Sequence, residues 1–136
     1  MTPDVVVEWR HADDEDYRER RCLYALVNAR RRQIGYIGKA YKSNLAARLR
    51  CKSKAAVLRH LRNEGMEIAV LFGEIVLPPG QRVSEEQVSD IESLLIAAET
   101  PIANIQCCSS RGISRPGLLV ACYGRWPGRG RFYADC

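Results

Sequence analysis

Cys22–Asn28 reads Cys-Leu-Tyr-Ala-Leu-Val-Asn, and Gln33–Gly38 reads Gln-Ile-Gly-Tyr-Ile-Gly; the polar stretch Ala29–Arg32 separates them. Both apolar runs have strand length. A short polar break between two such runs predicts a hairpin, although neither Asn-Gly nor Asp-Gly marks the turn. Downstream, Ser43 or Asn44 is placed to cap a short helix with Leu45 and Leu49 on one side. Ser53 is placed to cap a second helix, apolar at Val57, Leu58 and Leu61 and ending near Gly65. Ile68–Leu77 reads as a returning strand closed by Pro78-Pro79-Gly80. Ser84-Glu85-Glu86-Gln87 is a capping box. The helix it opens buries Val88, Ile91, Leu95 and Ala98 at helical spacing, and Pro101 stops it.

The expected fold is therefore α+β: a small antiparallel or mixed sheet of three strands flanked by helices. Outside it lie Val5-Val6-Val7 with Trp9, a short strand or an arm, and the acidic run Asp13–Asp16. The last stretch holds one apolar run, Leu118–Tyr123, and then an Arg/Gly/aromatic segment from Arg125 to Tyr133. At 136 residues the chain suits one domain, divided as an N-terminal extension (1–20), a core (21–106) and a C-terminal extension (107–136). That last extension either packs on the core or binds DNA.

Charge is unevenly spread. Residues 21–63 carry twelve Lys and Arg and no Asp or Glu, whereas residues 64–110 carry eight acids against one base. An acid-free basic block attracts a polyanion, most often nucleic acid. The six cysteines show no Cys-x-x-Cys pair, and His11 and His60 are the only histidines, so no zinc signature can be written. Met1-Thr2-Pro3-Asp4 opens without an apolar secretory region, which points to a reducing cytoplasmic setting and free thiols. No apolar run reaches the roughly 18 residues that span a bilayer, so no membrane association is expected.

Within this pattern stand Tyr24, Tyr36-Ile37-Gly38, Arg48, Glu92 and Asn104, in that order. The chain resembles the GIY-YIG nuclease superfamily over residues 22–104. Cys22-Leu23-Tyr24 stands where that family has Gly-Ile-Tyr. Tyr36-Ile37-Gly38 is an intact second motif. Arg48 matches the family arginine, Glu92 the family glutamate, and Pro101 with Asn104 its Pro and Asn. In the first motif Gly becomes Cys and Ile becomes Leu, while the tyrosine is kept.

The resemblance implies a DNA endonuclease using one Mg²⁺ or Mn²⁺ and leaving a 5′-phosphate and a 3′-hydroxyl. It implies that Tyr24 is the general base or positions the water, that Tyr36 orients water or phosphate, and that Asn104 supports the site by hydrogen bonding. Arg48 offers a planar fork of donors to phosphate oxygens. Glu92 is expected to hold the metal, since Mg²⁺ binds through one or two carboxylates and keeps several waters. A tyrosine near pKa 10 is a poor base at neutral pH unless a cation favours its phenolate. Lys39 and Lys52 are the expected suppliers. Lys39, Lys42, Arg50, Lys52 and His60 are the expected substrate contacts.

Each residue also has a plainer reading. Glu85, Glu92 and Glu99 share one helix face, whose plainer reading is a solvated surface, but Glu92 borders the buried stripe. Two further functions stay open: a nucleic-acid-binding module without turnover, and a nuclease toxin neutralised by a partner. Target choice rests on the chain itself, a protein partner or a homodimer.

Overall fold

The computed structural model describes residues 3–104, 117–128 and 130–133. Its strands are β1 (Val5–His11), β2 (Cys22–Asn28), β3 (Ile34–Ala40), β4 (Ile68–Val76), β5 (Leu119–Gly124) and β6 (Arg131–Tyr133). Its helices are α1 (Leu45–Arg50), α2 (Lys52–Asn63) and α3 (Glu85–Glu99). The architecture is α+β. The hairpin forms as its sequence indicates, with Tyr24 opposite Gly38 and a shift of register between Leu26 and Val27.

The three-stranded sheet expected from the sequence is corrected to a larger mixed one, ordered β3-β2-β4-β1-β5-β6. Five of these strands have six or more residues, and β6 adds a three-residue edge. The physical reason is β4, which offers hydrogen-bonding groups on both sides. One side takes β2; the other takes β1, Val7 facing Ile75. β1 in turn takes β5 in parallel, Val7 facing Cys122. Residues 1–20 thus supply a strand from the interior of the sheet, and the described part of 107–136 supplies two more.

Side chains alternate between the two faces of this sheet. Leu23, Ala25, Leu71, Val7 and Val120 point to one face, where Val88, Ile91, Leu95 and Ile96 of α3 cover them. Tyr24, Ala40 and Phe72 point to the other, against Leu45 of α1, and Leu26 meets Leu61 of α2. Asn44 caps α1 by accepting from the Ala47 N–H at 2.9 Å. α2 begins two residues earlier than expected, so Cys51, not Ser53, takes the cap position. The capping box of α3 is complete, Ser84 with Gln87. Cys22, Cys51 and Cys122 are free thiols, while Cys107, Cys108 and Cys136 lie outside the described residues. Among the described residues no helix is long and apolar enough to cross a membrane.

Of the C-terminal aromatics, Trp126 is buried and stacks on Trp9 with ring centroids 4.4 Å apart. It covers the core rather than offering its face to a base. The side chains of Phe132 and Tyr133 and the whole of Arg129 lie outside the described residues. Trp126→Ala is expected to cost about 3–5 kcal/mol, as for other large aromatics removed from a core. The measurement is urea unfolding followed by far-UV circular dichroism; an unchanged midpoint would show the stack to be incidental.

Candidate functional site

β3 is an edge strand, and the site lies along that edge. Past Pro101 the chain turns back against it. The Ala103 N–H donates to Gly35 O at 2.8 Å. Asn104 Oδ1 accepts from the Ile37 N–H, and its Nδ2 donates to Ile37 O, both at 2.9 Å and both buried. These bonds satisfy an open strand edge that otherwise presents bare backbone groups. They also fix the end of α3 beside Tyr36. Asn104 thus holds the site's backbone in place and also lines the cavity beside it.

A cavity of about 630 Å³ opens at this edge. β3 contributes Tyr36 and Ile37, and α1 contributes Arg48. α2 contributes Lys54, Val57 and His60, α3 contributes Glu92 and Ile96, and the returning segment contributes Ile102 to Asn104. Since α3 covers one face of the sheet and α1 and α2 the other, the cavity straddles the edge. Residues 56 positions apart in the chain, Tyr36 and Glu92, share its wall.

Tyr24 stands behind the wall, fully buried at 0% exposure, its ring centroid 6.0 Å from that of Tyr36. Its hydroxyl has no well-formed hydrogen bond. Opposite it, a Cβ at Gly38 would collide with the end of the phenol, so glycine in Tyr36-Ile37-Gly38 is a packing requirement of Tyr24. Burial pushes the Tyr24 pKa well up, and the Tyr36 phenol and Glu92 add to this; Arg48 opposes it. The expectation that Lys39 or Lys52 draws this tyrosine towards phenolate is corrected. The cation acting on it is Arg48, and desolvation outweighs that cation. Tyr24 is a neutral hydroxyl at pH 7.

Glu92 is half-buried and makes no hydrogen bond or ion pair with a described residue. Burial raises its pKa; the charges of Lys39, Arg48 and Lys54 pull it back, so all three cations face one acid. Arg48 keeps a buried Nε without a partner. Lys39 donates to Ser89 Oγ on α3 and does not line the cavity. Lys52 and Arg50 are exposed and outside it, Lys42 is exposed and lines a different cavity, and His60 is exposed on the cavity rim.

The residue missed by sequence reasoning is Lys54. It is only 4% exposed, lines the cavity, and holds its ammonium 4.8 Å from the Tyr36 ring centroid. It has no carboxylate in ion-pair range among the described residues. A signal was present: Lys54 and Leu61 are seven residues apart, so this lysine sits on the apolar stripe of α2. A single carboxylate beside an open cavity, with Tyr36, Arg48 and Lys54 on the same wall, fits a hydrated Mg²⁺ or Mn²⁺ with Glu92 as its protein ligand. No group of three His, Cys, Asp or Glu occurs among the described residues, which does not suit zinc.

Compared with protein-family models, with curated proteins and with solved structures, the chain matches none.

Because burial raises the Glu92 pKa, its ionised form costs stability at neutral pH. The penalty is absent below the ordinary carboxylate range and sets in as pH rises through it. Glu92→Gln is therefore expected to raise Tm at pH 7 and to leave it unchanged near about pH 3, below the usual carboxylate pKa. Thermal melts at the two pH values check this; a lower Tm at pH 7 would mean that the three cations, not burial, dominate.

Proposed function

We propose that this chain is a metal-dependent endonuclease of the GIY-YIG type that hydrolyses DNA phosphodiester bonds, giving a 5′-phosphate and a 3′-hydroxyl. The observation that carries the reading is the meeting of Tyr36, Arg48, Lys54 and Glu92, from four separate elements, on one cavity. Tyr24 and Asn104 stand in support. Phosphodiester hydrolysis requires charge compensation at the phosphate and a positioned water. Arg48, with its unpartnered Nε, grips phosphate oxygens through its planar fork. Lys54 supplies a second, partly desolvated positive charge to the same group, worth more there than in open water. The Tyr36 phenol, under the Lys54 ammonium, orients the water or a phosphate oxygen. The neutral Tyr24 hydroxyl keeps its proton in the resting protein. Glu92 would hold Mg²⁺ or Mn²⁺, and the bound ion supplies neutralisation of a phosphate oxygen and of the leaving group.

One observation favours a second reading. Tyr24 is buried and pushed away from phenolate, which suits a nucleic-acid-binding module that keeps the scaffold without turnover. The same experiment separates the two. Supercoiled plasmid is incubated with Mg²⁺ or Mn²⁺ and wild type, Glu92→Ala, Arg48→Ala or Lys54→Met. The nuclease reading expects each variant to lose about a hundredfold or more in rate, the scale of removing one group that stabilises developing charge. Glu92→Ala is expected to keep DNA binding, since phosphate contacts remain. Equal cutting by all four proteins removes the reading; salt-dependent binding with no cutting by wild type establishes the module instead.

A further inference from the structure

A second cavity, of about 650 Å³, lies where β2 begins and β3 ends. Its walls are Arg18, Glu19, Arg20, Arg21, Tyr41 and Lys42. Register brings these walls together, since Cys22 faces Ala40 across the hairpin. Four cations meet one carboxylate there. All four are exposed, and none has a carboxylate in ion-pair range among the described residues, whereas Arg10 and Arg30 elsewhere are paired.

The wall carrying the arginines is built, not slack. Arg10 clamps Asp16 through two hydrogen bonds of 3.1 and 2.7 Å, and Asp16 closes a turn with Asp13. The Leu45 N–H at the start of α1 donates to Glu19 O at 3.1 Å. Arg21 sits in the left-handed region, at φ 55°, with its guanidinium 5.6 Å from the Tyr41 ring centroid. Like charges held together in this way are relieved by an anion. Helix α1 joins this cavity to the first: Leu45 at its start is bonded to Glu19, and Arg48 in its last turn lines the edge site.

We infer that the second cavity binds the phosphodiester backbone of the same nucleic acid, on the flank of the segment held at the edge site. The proposal rests on the nuclease reading only for what occupies that edge site. Tyr36 lies within β3 and Tyr41 just past its end, five positions on and so at most about 17 Å away along the backbone. Along one strand of a duplex that distance spans about five phosphates. The site therefore takes a polymer, not a mononucleotide.

The test is the salt dependence of binding to a fluorescent DNA duplex, without divalent metal so that nothing is cut. Arg20→Ala/Arg21→Ala is compared with wild type and with Arg31→Ala/Arg32→Ala, which removes the same charge from exposed positions at the far end of the hairpin. The first variant is expected to lower the slope of log K against log salt by about two, near 0.9 per lost phosphate contact. The second is expected to keep the wild-type slope. Equal loss in both variants, an unchanged slope in the first with wild-type circular dichroism, or no binding by wild type overturns the inference. The same series on an RNA duplex assigns the backbone: the larger change in slope marks the polymer that this cavity takes. The two readings fail separately. A wild type that never cuts but shows the slope difference ends the nuclease reading and leaves this site standing. Metal-dependent cutting with equal slopes does the reverse.

Discussion

The carboxamide of Asn104 exchanges two hydrogen bonds with the backbone of Ile37, and the cleft follows from that exchange. An edge strand carries a row of unsatisfied donors and acceptors. Here they are met by a segment whose course is set by the end of α3 at Pro101. The same contact that quiets the edge brings α3 level with Tyr36, and so brings Glu92 to the cavity. Removing the carboxamide would bury an unpaired N–H and an unpaired carbonyl together, the costly case for hydrogen bonds in a core. Strand edge, helix placement and acid position are thus one mechanical problem with one solution.

The charges inside the cleft are held in tension. Glu92 is penalised by burial and surrounded by Lys39, Arg48 and Lys54, none of which forms a direct ion pair with it. Arg48 leaves a buried nitrogen unmet, and Tyr24 leaves a buried hydroxyl unmet. A protein selected only for stability would satisfy these groups or replace them by apolar ones. Their persistence in one small volume fits a place where a charged ligand completes the bonding.

Much of this was legible in the sequence. The hairpin came from two apolar runs, α3 from its capping box and Pro101, and the site from the order of Tyr24, Tyr36, Arg48, Glu92 and Asn104. Glu92 was readable because it borders the buried stripe of α3. The full sheet was not readable. Val5-Val6-Val7 looks like a strand locally, but its partners are Ile75 and Cys122, far along the chain, and no local pattern encodes such pairing. The hydrogen bond of Lys39 to Ser89 was not readable for a related reason: a side chain's partner depends on where another element docks. Lys54 was written into the periodicity of α2 and was overlooked, since a lysine on an apolar stripe draws less notice than one in a basic run.

The placing of β1 between β4 and β5 has a further consequence for how the chain matures. Proteins are threaded out from the amino end, and early pieces fold first. In chain order β1 precedes both of its neighbours, meeting β4 first and β5 later. Until then Val5–His11 is an open border, able to recruit any sticky strand nearby. A chain lacking β5 would leave that border bare, so β5 serves as the cover of β1.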